Sequence, residues 1–570
     1  MPVARTHSIA LVGVEGHPVE IEADIQNGLP GLLLVGLPDP ALREARDRIR
    51  AAIVNSREQW PQRRITVGLS PASLPKRGSG FDVGIAVAIL GAAGSVPAAA
   101  LDGMAFLGEL GLDGQLRPVR GVLPAAAAAA ARGFRRVAVP SANEAEAALV
   151  PGLWVLSAPT LPGLLGWLRG RSPAVAAKPG DQDGPPGPES LGRPAEPAGL
   201  GGPGGPGGPG GPGGRAEHSG RDGPVRLVEG GLAQGAWALS AGGPSGPPTG
   251  TGPDLADVLG QPTARRAAEI CAAGGHHLCL LGPPGAGKTM LAERIPTLLP
   301  RLDPAAALEV TSIHSVAGVL PDRSPLLTAP PFCAPHHTAT KAAIVGGGTG
   351  VIHPGAASLA HRGCLFLDEA PEFGRDVLDA LRQPLESGEV VVARLGVTAR
   401  FPARFTLVLA ANPCPCARGP GRQAGCTCTP AVRHRYLARL SGPLLDRVDV
   451  KVEFMPVSRR ELLSDATFAE SSATVAERVE AARCRAAARL RDTPWRLNAE
   501  VPGSELRRSY APAPGALAPL ERAMDLGQIS ARGVHRVIRV AWTLADLAGV
   551  PRPSADQTSA ALGLWLGVPR

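Results

Sequence analysis

Apolar and polar positions divide the chain into patterned blocks separated by one stretch with no pattern. In the first block, residues 1 to about 170, short apolar runs (Ser8-Ile-Ala-Leu-Val12, Leu32-Leu-Leu-Val35, Ile65-Thr-Val-Gly-Leu69, Arg136-Val-Ala-Val139) alternate with segments of helical period, Ala41 to Ile53, Phe81 to Leu90 and Pro124 to Arg132. This alternation predicts a compact α/β or α+β domain. From about 171 to 252 the composition collapses into Gly, Pro, Ser and isolated charges, with Gly-Gly-Pro repeats over 201–214. Such a segment buries too little apolar surface to offset its ordering entropy, so it reads as a disordered linker.

Patterning resumes at 253. Arg265 to Ala273 and Met290 to Leu299 have helical period, and they flank the buried-strand run His277-Leu-Cys-Leu-Leu281. Two further runs, Cys364-Leu-Phe-Leu367 and Phe405-Thr-Leu-Val-Leu-Ala-Ala411, are apolar throughout, as expected of parallel strands covered on both faces. Between them Glu389-Val-Val-Val-Ala-Arg394 and Val397-Thr-Ala-Arg400 read as a hairpin turning at Gly396. Residues 456–570 are largely helical, with Val475 to Arg491 and Val534 to Leu547 the clearest stretches. The expected organisation is therefore a multidomain α/β chain with domains at 1–170, 253–455 and 456–570 and a linker at 171–252.

Composition adds limits. A chain of 570 residues exceeds one ordinary domain. The formal charge of +8 permits contact with a polyanion without requiring it. The amino terminus, Met1-Pro-Val-Ala-Arg-Thr, lacks the apolar core of a signal peptide, and no segment offers a membrane-length apolar run. The expectation is a cytoplasmic protein with no membrane partner, whose nine cysteines are reduced thiols rather than a disulfide framework.

The chemistry gathers after 277. Gly282-Pro283-Pro284-Gly285-Ala286-Gly287-Lys288-Thr289 joins an apolar strand to a helix. Successive backbone N–H groups at a helix N-terminus cradle nucleotide phosphates, so the loop points to ATP; Lys288 would reach the β/γ-phosphates and Thr289 would ligate Mg²⁺. Asp368 and Glu369 end the run from Cys364, where an α/β sheet presents ligand-facing groups. Asp368 would hold Mg²⁺ and Glu369 would polarise the attacking water. Asn412 ends the run from Phe405, and its amide can position that water. Cys414, Cys416, Cys426 and Cys428 form two C-x-C units that suit a structural Zn²⁺, or are thiols that pack or oxidise. His336 and His337, a pair without a carboxylate at helical spacing, read as structural. Arg394 and Arg400 on the hairpin are either exposed strand charges or a grip on nucleic-acid phosphates.

Several motifs resemble the ComM/YifB proteins, the Mg chelatase-like AAA+ family. They are Val14-Glu-Gly-His17, Asn27-Gly-Leu-Pro-Gly31, Val35-Gly-Leu-Pro-Asp39 and Gly78-Ser-Gly-Phe-Asp82 in the first block, and Ala334-Pro-His-His-Thr338, Gly346-Gly-Gly-Thr-Gly350, His353-Pro-Gly355 and Ser358-Leu-Ala-His-Arg362 in the second. Ala541-Trp-Thr-Leu-Ala-Asp-Leu547 is similar to the family's C-terminal domain. The resemblance implies an N-domain of Lon-protease-like (ribosomal S5 domain 2-like) α+β fold, an AAA+ P-loop NTPase core and a C-terminal helical lid. It places Asp82 at the Lon nucleophile and Leu123 at the Lon lysine, so the catalytic dyad is missing. It makes Asn412 the sensor-1 residue, Arg447 in Gly442-Pro-Leu-Leu-Asp-Arg-Val-Asp449 an arginine finger offered to a neighbouring subunit, and Arg532 in Ser530-Ala-Arg-Gly533 the sensor-2 residue. It implies a homo-hexameric ring acting on single-stranded or branched DNA, as a helicase or branch-migration motor in natural transformation or recombination. The family commonly has Glu where Ala356 stands, so any role of that carboxylate is absent. A magnesium-chelatase motor subunit, inserting metal into a porphyrin, is the alternative; its chain begins directly at the AAA+ core, which the first block argues against.

Overall fold

The computed structural model describes residues 3–36, 41–76, 78–171, 175–176, 224–231, 252–321, 325–348, 352–394, 397–416, 426–455, 457 and 469–567. They fall into two compact units, one of 1–236 with 318–325 and one of 237–317 with 326–570.

The first unit is built on a nine-stranded sheet. Its strands are β1 (Val3–Val12), β2 (Glu15–Gln26), β3 (Gly31–Val35), β4 (Arg64–Ser70), β5 (Met104–Phe106), β8 (Arg136–Pro140), β9 (Trp154–Ala158), β10 (Val175–Ala176) and β11 (Arg226–Glu229), while β6 (Glu109–Leu110) and β7 (Leu116–Arg117) pair separately. The order is β10-β11-β9-β8-β5-β1-β2-β4-β3. The long strand β2 was not among the runs expected, because every second residue is polar: Val19, Ile21, Ala23 and Ile25 are buried, and Glu20 and Glu22 face outward to pair with Arg5. Its signal is a period of two rather than an apolar run. The helix Asp82–Ala92 is buried almost throughout, as the expected run from Phe81 to Leu90 requires.

One correction concerns the linker. Within 171–252, Val175–Ala176 forms β10 and Arg226–Glu229 forms β11, which pairs parallel with β10 and antiparallel with β9, its Leu227 and the preceding Val225 buried. A short apolar alternation suffices to join a sheet even when its neighbours in sequence are Gly and Pro, and averaged composition hides it. Residues 172–174, 177–223 and 232–251 of that segment lie outside the described residues.

The second unit is a five-stranded parallel sheet of β12 (Leu278–Leu281), β13 (Phe332–Cys333), β14 (Cys364–Leu367), β17 (Thr406–Ala411) and β18 (Val450–Glu453), in the order β13-β14-β17-β12-β18. Strands β14 and β17 are buried at every residue. The hairpin forms as β15 (Glu389–Arg394) and β16 (Val397–Pro402), and its turn lies outside the described residues. The C-terminal helices Ser472–Leu490, Ala531–Ala548 and Ala555–Leu566 share one apolar core with the sheet: Val479, Val537 and Trp565 belong to the same cluster as Leu278, Leu280 and Val408. A buried polar chain reinforces this packing. Asp449, ahead of β18, accepts from Arg536 Nη1 at 2.9 Å, and His276 Nε2 meets Thr543 Oγ1 at 2.7 Å. No described helix is long and apolar enough to cross a membrane.

Candidate nucleotide site

Parallel strands deliver their C-terminal ends to one edge of the sheet, and the strand that interrupts sequential order marks the crevice where ligands bind. Here β12 lies between β17 and β18. The residues immediately after β12, β14 and β17 are Gly282, Asp368 and Asn412, and the register pairs Leu281 with Ala411 and Leu367 with Leu409. The sheet thus sets the three residues side by side.

The loop is shaped by its glycines. A Cβ on Gly282 would stand 2.6 Å from Phe454 Cβ, and Gly287 has φ +97°, a left-handed value that favours glycine. The helix Lys288–Leu298 starts there, and with Gly287 at the cap no side chain competes for its first N–H groups. Lys288 is buried and folds back over the loop. Its Nζ donates to the carbonyls of Gly282 (2.7 Å) and Pro283 (2.9 Å) and to Asn412 Oδ1 (3.1 Å). Burial lowers the Lys288 pKa, while the charges of Asp368 and Glu369 oppose that shift. Phosphate oxygens are stronger acceptors than carbonyls, so the same ammonium is poised to exchange partners.

Thr289 Oγ1 donates to Asp368 Oδ2 at 2.7 Å, which brings together the hydroxyl and the carboxylate that the sequence assigns to Mg²⁺. Asp368 Oδ1 also accepts from the Glu369 N–H at 2.9 Å. Glu369 has φ +49°, unusual for a residue with a side chain, and its carboxylate is exposed beyond the sheet. His337 Nδ1 lies 3.5 Å from Glu369 Oε2, and the His336 ring packs on His337 at 4.1 Å between centroids. His337, whose spacing reads as structural, thus lies beside the acidic pair. Sequence spacing held no signal of it, because the two residues meet only through the fold.

No hydrogen bond or ion pair joins Arg447 or Arg532 to this group among the described residues. The Arg447 guanidinium bonds Glu386 and the Pro443 carbonyl, and its own carbonyl accepts from Arg536 Nη1 at 3.1 Å. Arg532 is exposed in the first turn of Ala531–Ala548. Sequence reasoning also passed over Arg536, one helical turn further on, which engages Asp449.

On the hairpin, Arg394 pairs with Val397 and Arg400 with Val391, so the two arginines occupy opposite faces. Arg400 Nη1 lies 2.8 Å from Glu389 Oε1, whereas Arg394 is exposed beyond the buried pair Val390 and Phe401. The four thiols of Cys414, Cys416, Cys426 and Cys428 converge, with every Sγ within 4.8 Å of the others. In the first unit, Asp82 is bound by Arg48 Nε at 2.6 Å, and burial raises its carboxyl to about 6 although Arg48 pulls it down. Leu123 is a buried core residue, and Lys76 Nζ is buried against the Pro71 and Leu74 carbonyls.

A five-stranded parallel sheet with a phosphate loop, a Thr–Asp pair, an adjacent Glu and an Asn on the neighbouring strand defines a P-loop protein of the AAA+ type. Comparison with known proteins narrows the class. Family models match residues 254–462 (magnesium chelatase, subunit ChlI), 21–143 (subunit ChlI of Mg-chelatase) and 469–564 (magnesium chelatase, subunit ChlI C-terminal). An uncharacterised protein of Mycobacterium tuberculosis is 47% identical over 562 residues, 99% of this chain and 98% of that protein. The protein YifB of Escherichia coli is 38% identical over 96% of this chain and 94% of its own length, and the competence protein ComM of Haemophilus influenzae is 38% identical over 99% and 97%. A magnesium-chelatase 38 kDa subunit of Rhodobacter capsulatus is 28% identical over 149 residues, 24% of this chain. The chain belongs to the ComM/YifB family of Mg chelatase-like AAA+ proteins.

Proposed function

We propose that the chain is an ATP-hydrolysing motor that works as a homo-hexameric ring on DNA in the cytoplasm, as a helicase or branch-migration enzyme. The carrying observation is the convergence of Lys288, Thr289, Asp368, Glu369 and Asn412 at adjacent strand ends. In the proposed reaction Lys288 and the loop N–H groups hold the phosphates, and Thr289 with Asp368 holds Mg²⁺. Glu369 takes the proton of the attacking water, which Asn412 helps to place. Arg447 completes the site of the next subunit after leaving Glu386, and Arg532 reports the nucleotide state through the helical lid. The Lon-like N-domain carries no proteolytic activity, with Asp82 held by Arg48 and Leu123 in the core.

The DNA reading draws on three supports: the net charge of +8, the exposed Arg394, and likeness to a competence protein along nearly the whole chain. The pairwise likeness to the Rhodobacter capsulatus chelatase subunit covers 24% of the chain while that to ComM covers 99%, which favours DNA over a porphyrin as the target. The test is ATPase rate with and without single-stranded and branched DNA, beside Glu369→Gln. The proposal expects stimulation in the wild type and nucleotide binding without turnover in the variant. Absence of both stimulation and DNA binding at low salt would sink the motor-on-DNA reading, while loss of turnover in Glu369→Gln would still stand for the ATPase.

A further inference from the structure

Nothing in nucleotide hydrolysis uses the four converging thiols that follow Asn412. We infer that Cys414, Cys416, Cys426 and Cys428 hold one structural Zn²⁺ ion that braces the chain leaving the sheet at Asn412. Metal binding itself is independent of the nucleotide reading; only the bracing rests on it.

The geometry carries the inference. Cys414 Sγ lies 3.1 Å from Cys416 Sγ and 3.3 Å from Cys426 Sγ, and the last two are 3.5 Å apart. All four lie within 4.8 Å of one another. Thiolates bound tetrahedrally at a Zn–S length near 2.3 Å stand about 3.8 Å from each other, so the observed separations bracket a single four-coordinate ion. They are free cysteines, with every contact far beyond a disulfide's bond length of about 2.05 Å. Thiols pack well as single buried groups and gain little by meeting in fours. As thiolates they repel, and a soft divalent cation is the partner that stabilises them together. A multi-iron cluster binds its thiolates to different irons and needs them set farther apart. On zinc binding each thiol gives its proton to solvent as its Zn–S bond forms, with no change of oxidation state.

The site's position gives the ion a task. Cys414 follows Asn412 by two residues and is 2% exposed. At the other end Cys428 precedes Thr429, whose hydroxyl caps the helix Pro430–Leu437, and Arg433 Nε donates to the Cys428 carbonyl at 3.2 Å. Beyond that helix Arg439 Nη1 reaches the Pro371 carbonyl (3.3 Å) and Glu372 Oε2 (3.1 Å), in the turn that follows Glu369. One ion therefore ties the exit of β17 to a helix anchored beside the exit of β14, the two strands that present Asn412 and the acidic pair.

Elemental analysis of the full-length protein, purified without added metal, tests the inference. The expected result is about one zinc per chain, released by a mercurial thiol reagent. The double variant Cys426→Ser/Cys428→Ser should lose the metal, while Cys484→Ser, at an exposed cysteine elsewhere, should retain it. Cobalt substitution should give the visible bands of a tetrahedral thiolate site, a readout on wild-type protein that stands even if the double variant fails to fold. Four freely titrating thiols with no bound metal, iron with acid-labile sulfide, or a disulfide between two of these cysteines would each overturn it.

Discussion

His337 Nδ1 and Glu369 Oε2 stand 3.5 Å apart, joining the loop after β13 to the residue proposed as the base for water. Glu369 occupies a left-handed backbone conformation and its side chain is half exposed, so the imidazole restricts where that oxygen points. We expect His337→Ala to lower ATP turnover by about tenfold, a loss of about 1.4 kcal/mol in the barrier, with little change in the KM for ATP. His337→Gln should recover part of the rate by offering a hydrogen bond of similar reach. Steady-state ATPase measurement decides, and an unchanged turnover in His337→Ala would remove the residue from the mechanism.

Arg394 and Arg400, on opposite faces of the hairpin, should not behave alike. Both are exposed, but Arg400 is already paired with Glu389, whereas Arg394 has no ion pair among the described residues. Arg394→Ala is expected to weaken DNA binding more than Arg400→Ala, and to lower the slope of log affinity against log salt by about 1. Equal effects, or none, in a salt titration of single-strand binding would disconnect the hairpin from DNA.

The parallel sheet should soften in mild acid. His277 is half-buried just ahead of β12, its Nδ1 accepting from the Leu407 N–H at 3.0 Å, and desolvation lowers its pKa to about 4. The Asp449 carboxylate raises it, and Arg536, His276 and Arg539 lower it further. The folded protein thus binds the proton less readily than the unfolded chain, whose His titrates near 6.5. This stabilisation is complete above the unfolded value and is lost as pH falls from about 6.5 to about 4, by about 3 kcal/mol in all. Denaturant unfolding at a series of pH values should show that fall, and His277→Asn should flatten it over the same window; an identical slope in the variant would assign the effect elsewhere.

Asp449 is buried and accepts a charged hydrogen bond from Arg536, which also holds the Arg447 carbonyl. Removing one partner of a buried pair leaves the other uncompensated, so Asp449→Ala should destabilise the second unit by about 3–5 kcal/mol. Arg536→Met, which removes the cation and keeps the stem's packing, should also destabilise, through the carboxylate it leaves behind. Thermal unfolding checks both. A wild-type melting point in Asp449→Ala would show that the link between the sheet and the C-terminal helix is dispensable.

Much of the nucleotide site was legible in the chain because its elements are local. A strand, a glycine loop and a helix lie consecutively at 278–298, and Asp368, Glu369 and Asn412 each follow an apolar run whose end places them at the sheet edge. The two C-x-C units likewise stood out in the chain, and the fold brings their four thiols together. Strand β2 was missed because its residues alternate, and β11 because its four residues sit within a Gly/Pro-rich stretch.

By itself, then, the sequence determined the phosphate loop, the acidic pair and the strands and helix that directly carry them, since periodicity and adjacent motifs encode them. Tertiary structure alone decided that His337 meets Glu369, that Arg536 grips Asp449, and that Arg447 rests on Glu386. Those pairs join residues far apart in the chain. Their distances are set by sheet order and helix packing, which local pattern does not record.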